Sequence, residues 1–117
     1  MKTSLRLADY LGHILQAIKR IERHVSDVDE IRFLESELVQ DAVIRNIEII
    51  GEAANTIWRT YPEFAAAHSE IPWEAMYTMR NRVSHGYHQV DLDIVWKTIH
   101  DDLPELYAQI ALAREQT

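Results

Sequence analysis

The chain has no cysteine, only three glycines and three prolines, and no apolar run long enough to cross a membrane. The absence of cysteine excludes disulfide bonds, thiolate metal sites and a thiol nucleophile. So few glycines and prolines leave long segments uninterrupted, which favours long helices. Arg6 and Asp9 interrupt the region where a secretion signal would need an apolar core. We therefore expect a cytoplasmic protein with no membrane association.

With 117 residues, 47% of them hydrophobic and 26% charged, the chain has the composition of one soluble globular domain. We expect that domain to span residues 1–117. The formal net charge of −7 argues against a general nucleic-acid coat, which would need a basic surface. Residues 75–90, however, contain no acid and include Arg80 and Arg82. Such a spot could hold one phosphate or a short strand, or could simply be a solvated basic helix face.

Apolar residues recur at steps of three and four along most of the chain, which predicts helices throughout. The strongest pattern runs over residues 38–61, and a second apolar row widens its stripe. A stripe of this width predicts burial on two sides, by the helix's own bundle and by a second subunit. Gly51 lies inside this helix, where glycine is unfavourable, so we expect a close helix–helix approach there.

Weaker patterns predict the other helices. They cover residues 4–24, a short helix capped by Ser26-Asp27, residues 72–85, and a segment opened by Asp91 that Pro104 divides or kinks. The stretch after Pro62 reads as a connection. Short links between helices predict an all-α, antiparallel up-and-down bundle of four to six helices.

The stretch RNRVSHGY, residues 80–87, gathers chemically capable side chains around Gly86. Glycine is the residue expected to end a helix, which would put His85 in the last turn, where the negative helix end favours the imidazolium. Histidine can move protons near neutral pH, and the Arg80 guanidinium can bind a phosphate with two hydrogen bonds. The two residues are five apart, about 140° around a helix axis, so they could converge on a ligand only beside the helix end or with a second subunit closing the gap.

Ordinary helix capping explains the same residues, and Tyr87 could then be a core residue. A metal site is less favoured, because no nearby carboxylate completes a ligand set for His85 and His88. The motifs of serine hydrolases and P-loop proteins are absent. We therefore expect neither a metal nor another cofactor.

RNRVSHGY also matches the R-x-x-x-x-H-x-Y motif of the HepT-like proteins in the HEPN superfamily. The blocks LVQDAVIRNIEIIGEAANTI, IPWEAMYTMRNRVSHGY and VDLDIVWKTIHDDLPEL resemble family blocks in the same order. The resemblance implies a HEPN-type helical bundle and a homodimer, in which two facing motifs could share one site. His88 departs from the family, where an aromatic residue is common.

The resemblance implies a metal-independent endoribonuclease, the toxin of a toxin–antitoxin pair. In that function the ribose 2′-hydroxyl attacks the neighbouring phosphate of an RNA substrate. Arg80 would hold the phosphate, His85 would move protons, and Asn81 would help position the substrate. The implied antitoxin is a minimal nucleotidyltransferase of the MntA type, which would add AMP to Tyr87 and block the site.

Two other functions stay open. The bundle could be a non-catalytic nucleotide-binding or accessory subunit of a nucleotidyltransferase, with Arg80 and His85 merely holding a phosphate. It could also be a helical protein whose basic helix end has no role beyond capping.

Overall fold

A computed structural model describes residues 6–84 and 91–117, apart from the side chains of Arg82 and Ser84. Throughout these ranges the secondary structure is helical, which confirms the predicted all-α class. The helices are α1 (Leu7–Val25), α2 (Glu30–Glu35), α3 (Glu37–Thr60), α4 (Pro62–Ala67), α5 (Trp73–Ser84), α6 (Leu92–Lys97) and α7 (Leu103–Glu115). A five-residue π-helical stretch, Thr98–Asp102, joins α6 to α7.

Side-chain caps fix where several helices begin. At α1, the carboxylate of Asp9 accepts a hydrogen bond from the Arg6 backbone N–H at 2.9 Å. At α3, the Ser36 hydroxyl accepts one from the Val39 N–H at 3.2 Å. These bonds satisfy N–H groups that have no partner inside the helix. The predicted boundaries of the two longest helices are therefore confirmed to within three residues.

The long helices run antiparallel, as the up-and-down prediction requires. Lys19 of α1 lies over the Tyr107 ring of α7, while Gly12, earlier in α1, faces Arg114, later in α7. The helices α3 and α5 are antiparallel as well, since Gly51 faces Arg80, while Trp58, later in α3, lines one pocket with Trp73, earlier in α5. The helix α3 contacts both α1 and α5 and is the central element of the bundle.

Two local predictions were wrong. The short helix α2 is capped by Asp29, whose carboxylate accepts from the Arg32 N–H at 2.8 Å, and not by Ser26-Asp27. The Ser26 hydroxyl instead donates to the carbonyl of Arg23 at the end of α1. The stretch after Pro62 contains the helix α4, because proline is favoured in a first helical turn and alanines follow it.

The core lies between the long helices and contains the predicted apolar faces. It includes residues with no exposed surface on α1 and α3, and also Phe33 of α2, which is fully buried. On α5, Met76 and Val83 are buried and Met79 is half-buried, so these three residues form the inner face of that helix. Among the helices of residues 6–84 and 91–117, none is long and apolar enough to cross a membrane.

Candidate functional site

The predicted site residues divide into two groups. Arg80 and Asn81 lie near the C-terminal end of α5 and are described by the structure. The predictions for His85, Gly86, Tyr87 and His88 fall outside the described residues. The site can therefore be built from its arginine outward.

Gly51 determines how close α5 comes to α3 at this point. A Cβ atom at Gly51 would overlap the Cβ of Arg80, and would lie 2.7 Å from the Arg80 Cγ and 3.0 Å from the Met76 carbonyl oxygen. Met76 and Arg80 are one turn apart and so lie on the same face of α5. The close helix approach predicted at Gly51 is confirmed, and the residue that occupies the space is the motif arginine.

The guanidinium of Arg80 is held by two polar neighbours. Its Nη2 donates to the Glu52 carboxylate at 3.1 Å, and its Nη1 donates to the side-chain oxygen of Asn81 at 3.2 Å. Its Nε is buried and finds no hydrogen-bond acceptor in the described part of the chain. The stem of the side chain is therefore packed between helices, while two hydrogen bonds orient its head.

This arrangement leaves Arg80 able to bind an anion. About a quarter of its side chain is exposed (25%), and each Nη nitrogen carries two hydrogens, of which the bonds to Glu52 and Asn81 use one. The second hydrogen on each nitrogen has no acceptor among the described residues, and two such donors match the two-point binding of a phosphate. Asn81 contacts the arginine itself in this structure and so orients the guanidinium, a role distinct from the substrate positioning expected from sequence.

Glu52 is the residue that sequence reasoning missed. By its spacing in the sequence, Glu52 falls on the polar face of α3, as do Arg45 and Glu48, which the structure places 3.9 Å apart. Its contact with Arg80 joins residues 28 positions apart and depends on the distance between two helices. Gly51 was the available signal, since a close approach there also brings Glu52 to α5.

A second polar group is buried in α3. Asn46 is only 5% exposed, and its side-chain Nδ2 donates to the Ala42 carbonyl at 2.9 Å. Its Oδ1 finds no partner among residues 6–84 and 91–117. In those ranges, no three histidine, aspartate or glutamate side chains are grouped closely enough to hold a metal ion.

The fold and the arginine cluster together define an all-helical protein with one guanidinium fixed between two antiparallel helices. The sequence profile of the family described as ribonuclease HepT-like matches residues 14–113. The chain belongs to this family.

Relatives from three organisms extend this comparison. A protein of Thermococcus cleftensis named "Probable ribonuclease HepT" is 39% identical over 107 residues, which are 92% of this chain and 94% of the relative. A "Putative RNase" of Caldanaerobacter subterraneus is 35% identical over 86% of this chain and 88% of its own length. A Methanocaldococcus jannaschii protein named "Gamma-glutamylcyclotransferase and putative RNase" is 39% identical over 92% of this chain. The match spans 47% of that relative, so this chain corresponds to about half of its length. No solved structure gives a significant match.

Proposed function

We propose that this protein is a metal-independent endoribonuclease, the toxin of a toxin–antitoxin pair of the HepT and MntA type. The observation that carries the proposal is the fixed guanidinium of Arg80, in a chain of the ribonuclease HepT-like family. Within residues 6–84 and 91–117, its two Nη nitrogens each keep one hydrogen that no acceptor uses. The names of the relatives support RNA as the substrate.

In this proposal, the 2′-hydroxyl oxygen of a ribose attacks the adjacent phosphorus. The new O2′–P bond forms as the O5′–P bond breaks, leaving a 2′,3′-cyclic phosphate and a 5′-hydroxyl end. Arg80 donates hydrogen bonds to the phosphate oxygens, whose negative charge grows in the transition state. His85 transfers protons between the attacking and the leaving oxygen, while Asn81 orients the arginine or the substrate.

The experiment is RNA cleavage in the presence of EDTA by wild type, Arg80→Ala, Arg80→Lys and His85→Ala. We expect a loss of about 10²- to 10³-fold for Arg80→Ala, the typical effect of removing one donor to a developing negative charge. Arg80→Lys keeps the charge but loses the two-point geometry, so we expect a partial loss. Arg59→Ala, at an exposed arginine in the last turn of α3, is the matched control and should cleave as wild type does.

Two outcomes would refute the ribonuclease proposal. Wild-type protein that leaves RNA intact would contradict it. So would equal cleavage by wild type and His85→Ala, because the activity would then come from elsewhere or from a contaminant.

The proposed control of the toxin is adenylylation of Tyr87 by a minimal nucleotidyltransferase. An added AMP brings a negative phosphate and bulk close to the motif, and so would compete with RNA for Arg80. Intact mass after co-expression with such a partner should increase by whole adenylate units. The increase should be absent in Tyr87→Phe; an unchanged increase would assign the modification to another residue.

A homodimer is part of the same proposal, because the five-residue spacing of Arg80 and His85 corresponds to about 140° around a helix axis, and a second subunit could close that gap. Large apolar side chains on the bundle surface support it. Leu38 at the start of α3 is 82% exposed, and Ile31 of α2 is 70% exposed. Light scattering of the purified protein measures the mass directly, and a monomer at micromolar concentration would contradict this part.

The second candidate is a non-catalytic accessory subunit of a nucleotidyltransferase. The net charge of −7 and the carboxylate beside Arg80 favour it, since both oppose the binding of a long polyanion. This candidate predicts a stable complex with the partner and no growth arrest when the chain is expressed alone. Toxicity that Arg80→Ala abolishes, with the fold retained, would exclude it.

A further inference from the structure

The stem and the head of Arg80 are fixed by different parts of α3. Gly51 leaves space for the Cβ and Cγ of the arginine, so packing fixes the stem. The next residue, Glu52, binds Nη2 at 3.1 Å and thereby sets the direction of the guanidinium. Two consecutive residues of one helix thus determine where the functional end of a residue on another helix points.

We propose that Glu52 is a positioning residue for Arg80, which holds the guanidinium in the orientation that receives a substrate phosphate. The inference rests on the proposed function, because it assumes that Arg80 binds the scissile phosphate. Glu52 itself would act through Arg80 and would contact no reacting atom.

A role of this pair in stability is a weaker explanation. Glu52 keeps 58% of its side chain exposed, and ion pairs this open to solvent contribute little to folding. An arginine side chain, by contrast, has several rotatable bonds, so a carboxylate at its tip removes much of its freedom of direction. The contact should therefore affect activity far more than stability.

The carboxylate also has an opposing effect, because its negative charge repels a phosphodiester. Solvent screens this repulsion, since Glu52 is more than half exposed. The hydrogen bond to Nη2, in contrast, is direct, and the second hydrogen of Nη2 has no acceptor in the part of the chain that the structure describes, so it can bind the substrate. Orientation should therefore outweigh repulsion, and removal of Glu52 should slow the reaction.

Two substitutions separate the hydrogen bond from the charge. Glu52→Gln keeps a side-chain oxygen that can accept from Nη2, whereas Glu52→Ala removes both the acceptor and the charge. The matched control is Glu22→Ala, which breaks a similar glutamate–cation pair on α1, where Glu22 lies 3.4 Å from Lys19. Cleavage of RNA in EDTA gives kcat and KM, and thermal unfolding gives the stability of each variant.

We expect Glu52→Ala to lower kcat about 10- to 100-fold, the scale on which small misplacements of a catalytic group act. The loss should fall mainly on kcat, because Arg80 binds most strongly to the charge that develops in the transition state. Glu52→Gln should recover most of the activity. Both variants should unfold at the same temperature as Glu22→Ala to within a few degrees. If the pair served only stability, a large loss of kcat would be accompanied by a large loss of Tm.

The reactivity of Arg80 towards phenylglyoxal, read by peptide mass spectrometry, provides a test that needs no activity. The reagent modifies guanidinium groups, so a released Arg80 should react faster in Glu52→Ala than in wild type or Glu22→Ala. Equal rates in all three would overturn the inference.

The kinetic outcomes are equally decisive. If Glu52→Ala cleaves as fast as wild type, or faster, the carboxylate does not assist and the inference is wrong. If Glu52→Gln is as slow as Glu52→Ala, the charge rather than the hydrogen bond matters, which also overturns it. Wild-type protein without any cleavage would instead refute the proposed function, and the labelling rates would still decide whether Glu52 fixes Arg80.

Discussion

Replacing Gly51 with alanine tests the helix contact that positions Arg80. The added Cβ would overlap the Arg80 Cβ and lie 3.0 Å from the Met76 carbonyl oxygen. Neither atom can rotate away, because the Met76 oxygen belongs to the backbone and the Arg80 Cβ is bonded directly to the backbone Cα. Relief therefore requires α3 and α5 to move apart.

The expected magnitude follows from two opposing terms. Alanine is a better helix former than glycine by about 1 kcal/mol, which favours the variant. Forcing an extra carbon into a packed contact costs about 1–3 kcal/mol. We expect a net loss of about 1 kcal/mol in the free energy of unfolding, or about 4 °C in Tm for a chain of this size. Activity should fall as well, since the stem of Arg80 moves.

Gly12 is the matched control on α1. A Cβ there would lie 3.1–3.4 Å from the guanidinium of Arg114, the far end of a flexible side chain that can shift. Gly12→Ala should therefore raise the free energy of unfolding by up to about 1 kcal/mol. Urea denaturation of both variants measures the difference.

The reasoning is refuted if Gly51→Ala is as stable as Gly12→Ala. A further check uses the Arg80→Ala background. Alanine at position 80 keeps its Cβ, so the cost of Gly51→Ala should persist there. A cost that disappears would place the strain in the Arg80 atoms beyond Cβ and not in the helix spacing.

Two further predictions concern buried hydrogen-bonding groups. The Oδ1 of Asn46 is buried without a partner in the described ranges, so Asn46→Leu should keep the free energy of unfolding or raise it by about 1 kcal/mol. A loss above about 2 kcal/mol in urea denaturation would contradict this. The Trp73 indole N–H donates to the carbonyls of Ala65 and His68, each at 3.2 Å, at the end of α4. Trp73→Phe leaves these carbonyls without that donor, so the free energy of unfolding should fall by about 1–2 kcal/mol in the same measurement. An unchanged free energy of unfolding would mean that water replaces the indole.

Much of the fold was predictable because it depends on local patterns. The apolar repeat over residues 38–61 indicated the helix found at Glu37–Thr60, since periodicity records which face is buried. The cap at Asp29 was mistaken for Ser26-Asp27 because serine and aspartate are both good caps, and only the hydrogen bond to Arg32 separates the three residues.

The site was predictable only in part, for a physical reason. Arg80 could be identified from its own chemistry and from its place in a motif. Its partner Glu52 could not, because on sequence alone Glu52 resembles any solvent-exposed glutamate of a polar helix face. Its role arises from the spacing of α3 and α5, which follows from the missing side chain at Gly51 and not from any property of Glu52 itself.

The Gly51–Arg80 contact also has a consequence for comparing sequences. A relative with any side chain at the position of Gly51 cannot place an arginine at the position of Arg80 against its backbone in the same way. The dipeptide Gly51-Glu52 and the arginine 28 residues after Glu52 should therefore vary together among related chains. Pairwise covariation would then sort family members by how their arginine is held, even where the histidine and tyrosine of the motif are the same.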